Sequence, residues 1–273
     1  MQDLLVIRKI EEQLCVVLKE IDDFILMFVI GNSYVLKNDH VVGLSIKRHA
    51  LPDIDCFQLM GILGELKQLT SLALFNTPIT DIGPLVGLTQ LTNLSLYDNQ
   101  ITDASPFGEL TQLTELSLSK NQITDVSPLG EQTQLTKLYL YTNQITDISP
   151  LGELTQLTEL GLGRNQITDI GTLGALTQLV RLDLYHNQIT DISPLGALTQ
   201  LARVDLRYNR VGDLPSTVVE NYQSIIMEDK VFFIEGINLF GNPLVNPPIE
   251  TVTQGKGAVL RYLERRETQA YQG

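Results

Sequence analysis

The amino-acid sequence predicts an α/β solenoid, in which short parallel strands stack side by side and short turns close each coil. Two observations support this fold class. The pattern L-x-x-L-x-L recurs every 22 residues, and every copy from Leu91 onward is followed at a fixed distance by an asparagine, in most units also by Ser-Pro. The leucines that open the pattern are Leu69, Leu91, Leu113, Leu135, Leu157, Leu179 and Leu201.

Each position of the repeat unit has a predicted orientation or role. If the opening leucine is position 1, alternation along a strand points the leucines at positions 4 and 6 inward and positions 3, 5 and 7 outward. We therefore expect a curved rod with a parallel sheet on its concave face and short 3₁₀ or α turns on its convex face. Serine is expected as the N-cap of each turn and proline as its first residue. Stacked side-chain amides should satisfy backbone groups where the chain turns inward, at Asn99, Asn121, Asn143, Asn165, Asn187 and Asn209.

Residues 1–40 are predicted to form an amino-terminal cap, because the first coil needs a cover for its leucines. Leu4–Ile21 has the periodicity of an amphipathic helix. Tyr34–Ile46 is predicted to be a hairpin that turns at Asn38 and Asp39. An irregular first repeat starts at Val41, and its spacing continues through Val41, Leu44, Ile46, Leu51 and Ile54.

The repeats are predicted to extend to residue 245 and to end with a longer unit, Leu201–Phe233, with a helix near Ser216–Met227. Residues 246–273 are predicted to form a carboxy-terminal cap and tail, with a helix over Ile249–Arg265. Between them the repeat register returns, at Ile234, Ile237, Leu239 and Asn242.

The repeat unit resembles the leucine-rich repeat superfamily, whose pattern is L-x-x-L-x-L-x-x-N-x-[IL]. The resemblance extends from about Val41 to Val245. It implies a leucine-rich-repeat solenoid with helical caps at both ends.

Composition argues against several classes of partner. The formal net charge of the 273 residues is −13, which repels nucleic acid and anionic membranes. The longest apolar run, Phe24–Ile30, is too short to span a bilayer. Two cysteines, Cys15 and Cys56, predict free thiols in a reducing compartment. The charged amino terminus does not indicate secretion. We therefore expect a soluble, cytoplasmic protein.

The concave face is the predicted binding surface for a protein or peptide. Tyrosine and arginine, which are enriched at binding hot spots, collect there within an otherwise acidic chain. The alternative is that strand propensity and solvated ion pairs explain these residues without a ligand. The predicted partner-binding residues are Phe75, Tyr97, Lys120, Lys137, Tyr139, Tyr141, Gly161, Gly163, Arg164, Arg181, Tyr185, His186, Arg203, Arg207 and Tyr208.

Gly161 and Gly163 suggest a phosphate-binding loop, but the third glycine of that fingerprint is missing. They fall at positions 5 and 7 of their repeat, where neighbouring repeats have bulky side chains. We therefore expect a depression between Tyr141 and Tyr185, with Arg164 at its rim, that accepts an apolar or acidic side chain.

No catalytic constellation, cofactor motif or metal-ligand spacing is predicted, so the chain is expected not to be an enzyme. His186 is interpreted as an interface residue. A row of aspartates could suggest calcium, yet the glycine-rich repeat of calcium-binding arrays is absent. We expect these aspartates to cap turns. They are Asp81, Asp103, Asp125, Asp147, Asp169, Asp191 and Asp213.

The segment Gly236–Glu267 resembles the junction that ends the repeat domain of bacterial and cyanobacterial Roco-family proteins. The shared features are Gly-Asn-Pro-Leu from Gly241, Pro247-Pro248 and Gln254-Gly255. In that family a Ras-like GTPase domain follows, whereas this sequence stops at Gly273. The resemblance implies an excised domain or a standalone relative, with an adjoining GTPase domain as the partner in a longer chain.

The sequence thus favours a non-enzymatic module that binds a protein or peptide on its concave face. The alternative is the regulatory domain of a Roco-type GTPase. Binding of nucleic acid or an anionic polymer at the basic end of the face, and recent duplication or consensus engineering of the repeats without an evolved ligand, also stay open.

Overall fold

The structure is a computed structural model, and it describes residues 2–14, 17–21, 32–47, 56–229 and 235–270. The chain forms two compact units, Met1–Tyr139 and Leu140–Gly273. No helix in the described ranges has the length and apolar character needed to cross a bilayer.

The first unit contains a sheet whose strands pair in chain order. All pairs are parallel except β2 with β3, which form an antiparallel hairpin. The turns opposite the sheet are 3₁₀ helices at Gly83–Leu85, Ser105–Glu109 and Ser127–Glu131. The helices and strands are α1 (Gln2–Leu14), β1 (Lys19–Glu20), β2 (Ser33–Lys37), β3 (His40–Lys47), α2 (Cys56–Leu63), β4 (Ser71–Phe75), β5 (Asn93–Ser95), β6 (Glu115–Ser117) and β7 (Lys137–Tyr139).

The second unit repeats this construction with a parallel sheet in the order β8-β9-β10-β12-β11. Its 3₁₀ turns are Ser149–Glu153, Gly171–Ala175 and Ser193–Ala197. Its strands and helices are β8 (Glu159–Gly161), β9 (Arg181–Asp183), β10 (Arg203–Asp205), α3 (Ser216–Asn221), β11 (Ile225–Ile226), β12 (Gly236–Asn238), α4 (Ile249–Val252) and α5 (Lys256–Ala270).

The repeated leucines form the core of each unit. In one coil Leu113, Leu116 and Leu118 are all at most 1% exposed. Burying such a side chain contributes about 1.5–3 kcal/mol, and this contribution recurs in every coil. The predicted fold class is confirmed, with parallel strands, short 3₁₀ turns and terminal helices.

The turns are capped differently from the prediction. Each 3₁₀ helix that begins with Ser-Pro has an apolar residue before it, and that residue makes no side-chain cap. The predicted serine N-cap is therefore wrong. The aspartate two residues before the serine accepts a hydrogen bond from the serine backbone N–H instead, as Asp147 does from Ser149 at 2.8 Å. Asp81, Asp103, Asp125, Asp169 and Asp191 make the same contact.

The turn role predicted for these aspartates is thus confirmed at six positions. Asp213 instead lies in an isolated bridge to Asn246. At Asp103, the backbone N–H and then the hydroxyl of Ser105 lower the pKa of the carboxyl group. Within the described ranges, no three His, Cys, Asp or Glu side chains gather as a metal site.

The amino-terminal cap is partly as predicted. The hairpin is present, and Asn38 and Asp39 turn it with φ of 52° and 64°. The predicted helix over Leu4–Ile21 is too long, because α1 ends at Leu14 and β1 pairs in parallel with β2. Strand pairing here overrides the helical periodicity. Leu51 and Ile54 lie outside the described residues.

The carboxy-terminal cap needs two similar corrections. The helix predicted near Ser216–Met227 ends at Asn221, and the β-branched Ile225 and Ile226 form an edge strand beside β12. The helix predicted over Ile249–Arg265 is two helices, α4 and α5, separated at Gly255, whose φ is 89°. The register at Ile237 is confirmed, since it pairs with Val204. Phe233 and Ile234 lie outside the described residues.

Candidate partner-binding surface

Stacked asparagines hold each strand where it turns, as predicted. The Nδ2 of Asn165 donates to the carbonyls of Leu140 and Leu162, at 2.9 and 3.0 Å, and its Oδ1 accepts from Ile145 N–H at 3.1 Å. The residue is 7% exposed. Corresponding side-chain to backbone bonds are made by Asn99, Asn121, Asn143, Asn187, Asn209 and Asn242.

Position 8 of the repeat is left-handed in each coil from β4 onward where the structure describes it. We predicted four of these residues, Lys120, Arg164, His186 and Tyr208, as outward strand residues. The structure places them at the rim that follows the strand, with φ between 54° and 58°. A non-glycine residue in this region costs about 1–2 kcal/mol. Among the described residues, this position is held by Asn76, Asp98, Lys120, Thr142, Arg164, His186, Tyr208 and Gly241.

The depression predicted at Gly161 and Gly163 is closed. The ring of Tyr141 lies over Gly161, and the ring of Tyr185 lies over Gly163, so closely that a Cβ at either glycine would overlap the ring. The two tyrosine centroids are 6.1 Å apart. The glycines make room for tyrosines of this chain, and Arg164 lies beside Tyr185 with its guanidinium 5.8 Å from the ring centroid.

Below these rings, Asp183 joins two residues of the predicted site. Its carboxylate accepts hydrogen bonds from the phenol of Tyr141 and from Nη2 of Arg181, the latter at 3.0 Å. The Asp183 side chain is 8% exposed and the Arg181 side chain 37%. The acid therefore fixes the orientation of two long side chains on the sheet surface.

A second acid holds Arg207 in the same way. Nη2 and Nε of Arg207 donate to the carboxylate of Asp205, at 2.7 Å and 2.9 Å. Its Nη1 lies 3.4 Å from Asp229. The Arg207 side chain is only 8% exposed. The hydrogen bond that Arg207 donates to Asp205, with the charges of Asp205 and Asp229, raises the pKa of Arg207, although burial acts in the opposite sense.

Four aromatic rings, beginning with Tyr185, contact one another in sequence along the rim. Tyr185 contacts the His186 ring edge-on at 5.8 Å, and His186 stacks on Tyr208 at 4.4 Å with an interplanar angle of 15°. Tyr208 meets Phe240 edge-on at 5.7 Å. We call Tyr185, His186, Tyr208 and Phe240 the aromatic row. His186 is exposed, while the other three are partly buried.

The other predicted residues belong to several different repeats. Arg203 begins β10 and is partly buried. In the first unit, Tyr139 ends β7 and Lys137 forms an ion pair with Glu115 at 2.9 Å. Phe75 meets Tyr97 edge-on at 6.5 Å, and Lys120 Nζ lies 4.9 Å from the Tyr97 ring centroid.

Sequence reasoning missed several residues that shape these clusters. Phe240 occupies position 7 of its repeat, as Tyr97 and Tyr185 do, so the register contained the signal. Asp229 lies outside the repeat pattern, and no periodic signal points to it. Lys47 occupies position 7 of the irregular first repeat, counted from Val41, and it pairs with Phe75, so the register contained this signal as well.

The parallel coils and the asparagine ladder define a repeat protein of the solenoid class. The sequence profile described as "Leucine Rich repeats (2 copies)" matches residues 67–109, 89–131, 111–153, 133–176, 155–196 and 177–217. These matches span more than half of the chain, and the chain belongs to the leucine-rich repeat family. No curated protein sequence matches.

Solved structures of the same fold include two internalins of Listeria monocytogenes. Internalin C2 is 37% identical, with a TM-score of 0.57, over 62% of this chain and 72% of its own. The internalin inlF is 27% identical, with a TM-score of 0.61, over 77% of this chain and 66% of its own. A leucine-rich repeat protein of Leptospira interrogans is 22% identical, with a TM-score of 0.59, over 82% and 59%, and shows the fold alone. These likenesses support the superfamily, whereas closeness to Roco-family proteins stays a prediction.

Proposed function

We propose that this chain is a non-enzymatic module that binds a protein or peptide on the outward face of its sheet, and chiefly on the second unit. The leucine-rich repeat fold is typical of protein-binding modules. The cytoplasmic location expected from the sequence stays a prediction.

The observation that supports this proposal is the fixed position of Arg207. An arginine on a solvated sheet face ordinarily keeps its rotamer freedom, yet this side chain is 8% exposed and held by Asp205 and Asp229. Its guanidinium also lies 5.8 Å from the Tyr185 ring centroid. A surface ordered before binding loses less conformational entropy when the partner arrives.

The chemistry of the surface indicates what the partner presents. Asp183 and Asp205 are each engaged by an arginine, so the local charges largely compensate each other. The aromatic row is therefore the main part of this surface that a partner can contact without breaking an ion pair. Stacked rings with polar edges favour an apolar or aromatic side chain with a hydrogen-bonding neighbour.

The experiment replaces the two rim residues of the aromatic row together, as His186→Ser and Tyr208→Ser. Tyr208 hydrogen-bonds the exposed Asp229, and within the described residues neither side chain bonds a core residue, so the fold should be retained. The control is Gln166→Ala with Thr190→Ala, which changes exposed positions in neighbouring coils. Proteins captured from the source cell by the wild type are identified and purified, and calorimetry gives their dissociation constants.

We expect the rim variant to weaken a directly binding partner at least tenfold, because hot-spot side chains lose more than about 1.4 kcal/mol on truncation. The control should bind as the wild type does. Equal affinity of all three proteins for every purified partner would refute the proposal.

The alternative function, a regulatory domain of a Roco-type GTPase, is favoured by one observation. Val245 and Ile249, in the segment that resembles the Roco junction, are 74% and 45% exposed. Apolar side chains at this end would suit an adjoining domain. A reading frame that continues into a phosphate-binding loop would support this function, and its absence in the genomic sequence would exclude it.

A further inference from the structure

A half-open pocket of about 360 Å³ lies on the first unit. This volume falls within the roughly 300–1,000 Å³ of small-ligand sites. Neighbouring strands supply its walls, because Lys47 of β3 pairs in register with Phe75 of β4. The lining residues are Lys47, Phe75, Asn76, Tyr97, Asp98 and Lys120.

The apolar part of the pocket consists of two rings. Phe75 and Tyr97 meet edge-on at 6.5 Å, and both are partly buried. This arrangement leaves ring surface open to a further apolar group, which aromatic side chains bind in edge-on or offset geometry. The pocket therefore suits a ligand with an aromatic or aliphatic group.

The polar part of the pocket contains three sets of donors. The ammonium group of Lys47 and the carboxamide of Asn76 have no hydrogen-bond partner or ion pair among the residues that the structure describes. Lys120 lies over Tyr97, and the hydrogen bond that Lys120 donates to the Tyr97 hydroxyl raises the pKa of Lys120, which keeps it cationic. All three residues line the same pocket and carry N–H donors.

One acid faces these cations. Asp98 lies 3.9 Å from Lys120, and their side chains are 42% and 47% exposed, so it offsets the lysine only in part. Two lysines and one aspartate leave one net positive charge in the pocket. On a chain with a net charge of −13, this is a local reversal of sign.

We propose that this pocket binds a carboxylate that is attached beside an aromatic side chain, as at the carboxy terminus of a peptide. The ring packs against Phe75 and Tyr97, and the carboxylate accepts from Lys47, Asn76 and Lys120. The inference deepens the proposed function, since it assumes that the group belongs to a protein or peptide partner.

The experiment uses small probes, so that it needs no partner. Binding of N-acetylphenylalanine is followed by chemical-shift perturbation, with the neutral N-acetylphenylalaninamide as the matched probe. N-acetyl-aspartyl-phenylalaninamide places the carboxylate on a side chain and tests that source separately. We expect a dissociation constant on the order of 1 mM for N-acetylphenylalanine, as for other fragments of this size. Binding of both amides should be at least fivefold weaker.

Three variants test the lining residues in opposite directions. Lys47→Met and Lys120→Met keep the apolar stem, and each should weaken N-acetylphenylalanine at least threefold. Asp98→Asn removes the opposing charge and should strengthen binding about twofold to threefold. Lys37→Met, at the far end of the hairpin, is the control and should change nothing. Each variant replaces an exposed or half-exposed side chain, so its fold is expected to be retained.

Equal binding of N-acetylphenylalanine and its amide would overturn the inference, as would an unchanged affinity in Lys47→Met. Tighter binding of N-acetyl-aspartyl-phenylalaninamide would overturn the assignment to a peptide terminus. None of these results depends on the aromatic row of the second unit. Failure here therefore leaves the His186 and Tyr208 test of the proposed function intact, and the converse also holds.

Discussion

The phenol of Tyr141 donates a hydrogen bond to the carboxylate of Asp183, which lies two repeats further along the chain. To do so, the ring crosses the coil between them at Gly161, the residue with the same repeat position as Asp183. A side chain at that point would block the crossing. The glycine thus orders the sheet surface by allowing a neighbour to cover it.

We predict that Gly161→Ala destabilises the second unit by about 1–3 kcal/mol, the usual cost of overpacking. The added methyl group would overlap the Tyr141 ring, which must then leave Asp183. Urea denaturation measures the loss. Gly108→Ala is the control, since a Cβ there meets nothing within 4 Å.

A double substitution separates this cause from a backbone effect. In a Tyr141→Ser background the alanine has no ring to displace, so Gly161→Ala should cost much less than it does alone. Equal costs in the two backgrounds would contradict the explanation.

Thr142→Asn should stabilise the chain by about 1 kcal/mol. Thr142 is a β-branched residue with φ of 56°, a conformation that asparagine tolerates far better. Thr146→Asn, at an exposed position of the same repeat, is the matched control and should stay within about 0.5 kcal/mol of wild type. A lower thermal midpoint for Thr142→Asn would show that the threonine makes a compensating contact.

Asn165→Ala should cost about 1–3 kcal/mol, because it leaves the buried N–H of Ile145 without its acceptor. The carbonyls of Leu140 and Leu162 also lose a hydrogen bond, but they keep those from Asn143 and Asn187. Hydrogen exchange at the Ile145 amide gives a local readout, and its protection should fall. Gln166→Ala next to it is exposed and should leave that amide protected. Unchanged exchange at Ile145 would argue against the ladder as a stabilising element.

Much of the fold follows from one period in the sequence. Leucines 22 residues apart can be buried together only if the coils stack, and a recurring buried asparagine needs recurring backbone partners. Parallel strands, ladder and turn aspartates were therefore predictable from local chemistry. The helix ends were not, because Lys19 and Ile225 join strands for tertiary reasons that periodicity does not record.

The candidate site was predicted less well, since its residues interact across repeats. The positions of Tyr141 and Tyr185 were evident, but the direction in which their rings lean depends on glycines one coil away. The left-handed rim was indicated by Asn76, Asp98, His186 and Gly241, residue types that favour that conformation. Lys120 and Arg164 give no such signal.

The aromatic row should make stability depend on pH through His186. Burial, then the charges of Arg164 and Arg207, lower the pKa of His186, while Asp229 and Asp205 act in the opposite sense. The unfolded chain, with a histidine pKa of about 6.5, therefore binds the proton first, and stability falls as pH drops from about 6.5 through the lower folded value. His186→Phe retains a ring to stack on Tyr208 and should lose this dependence. The thermal midpoint should therefore fall more for wild type than for the variant when the pH is lowered from 7.5 to 5. Parallel pH profiles, or a folded His186 pKa of 6.5 or higher by NMR, would contradict the prediction.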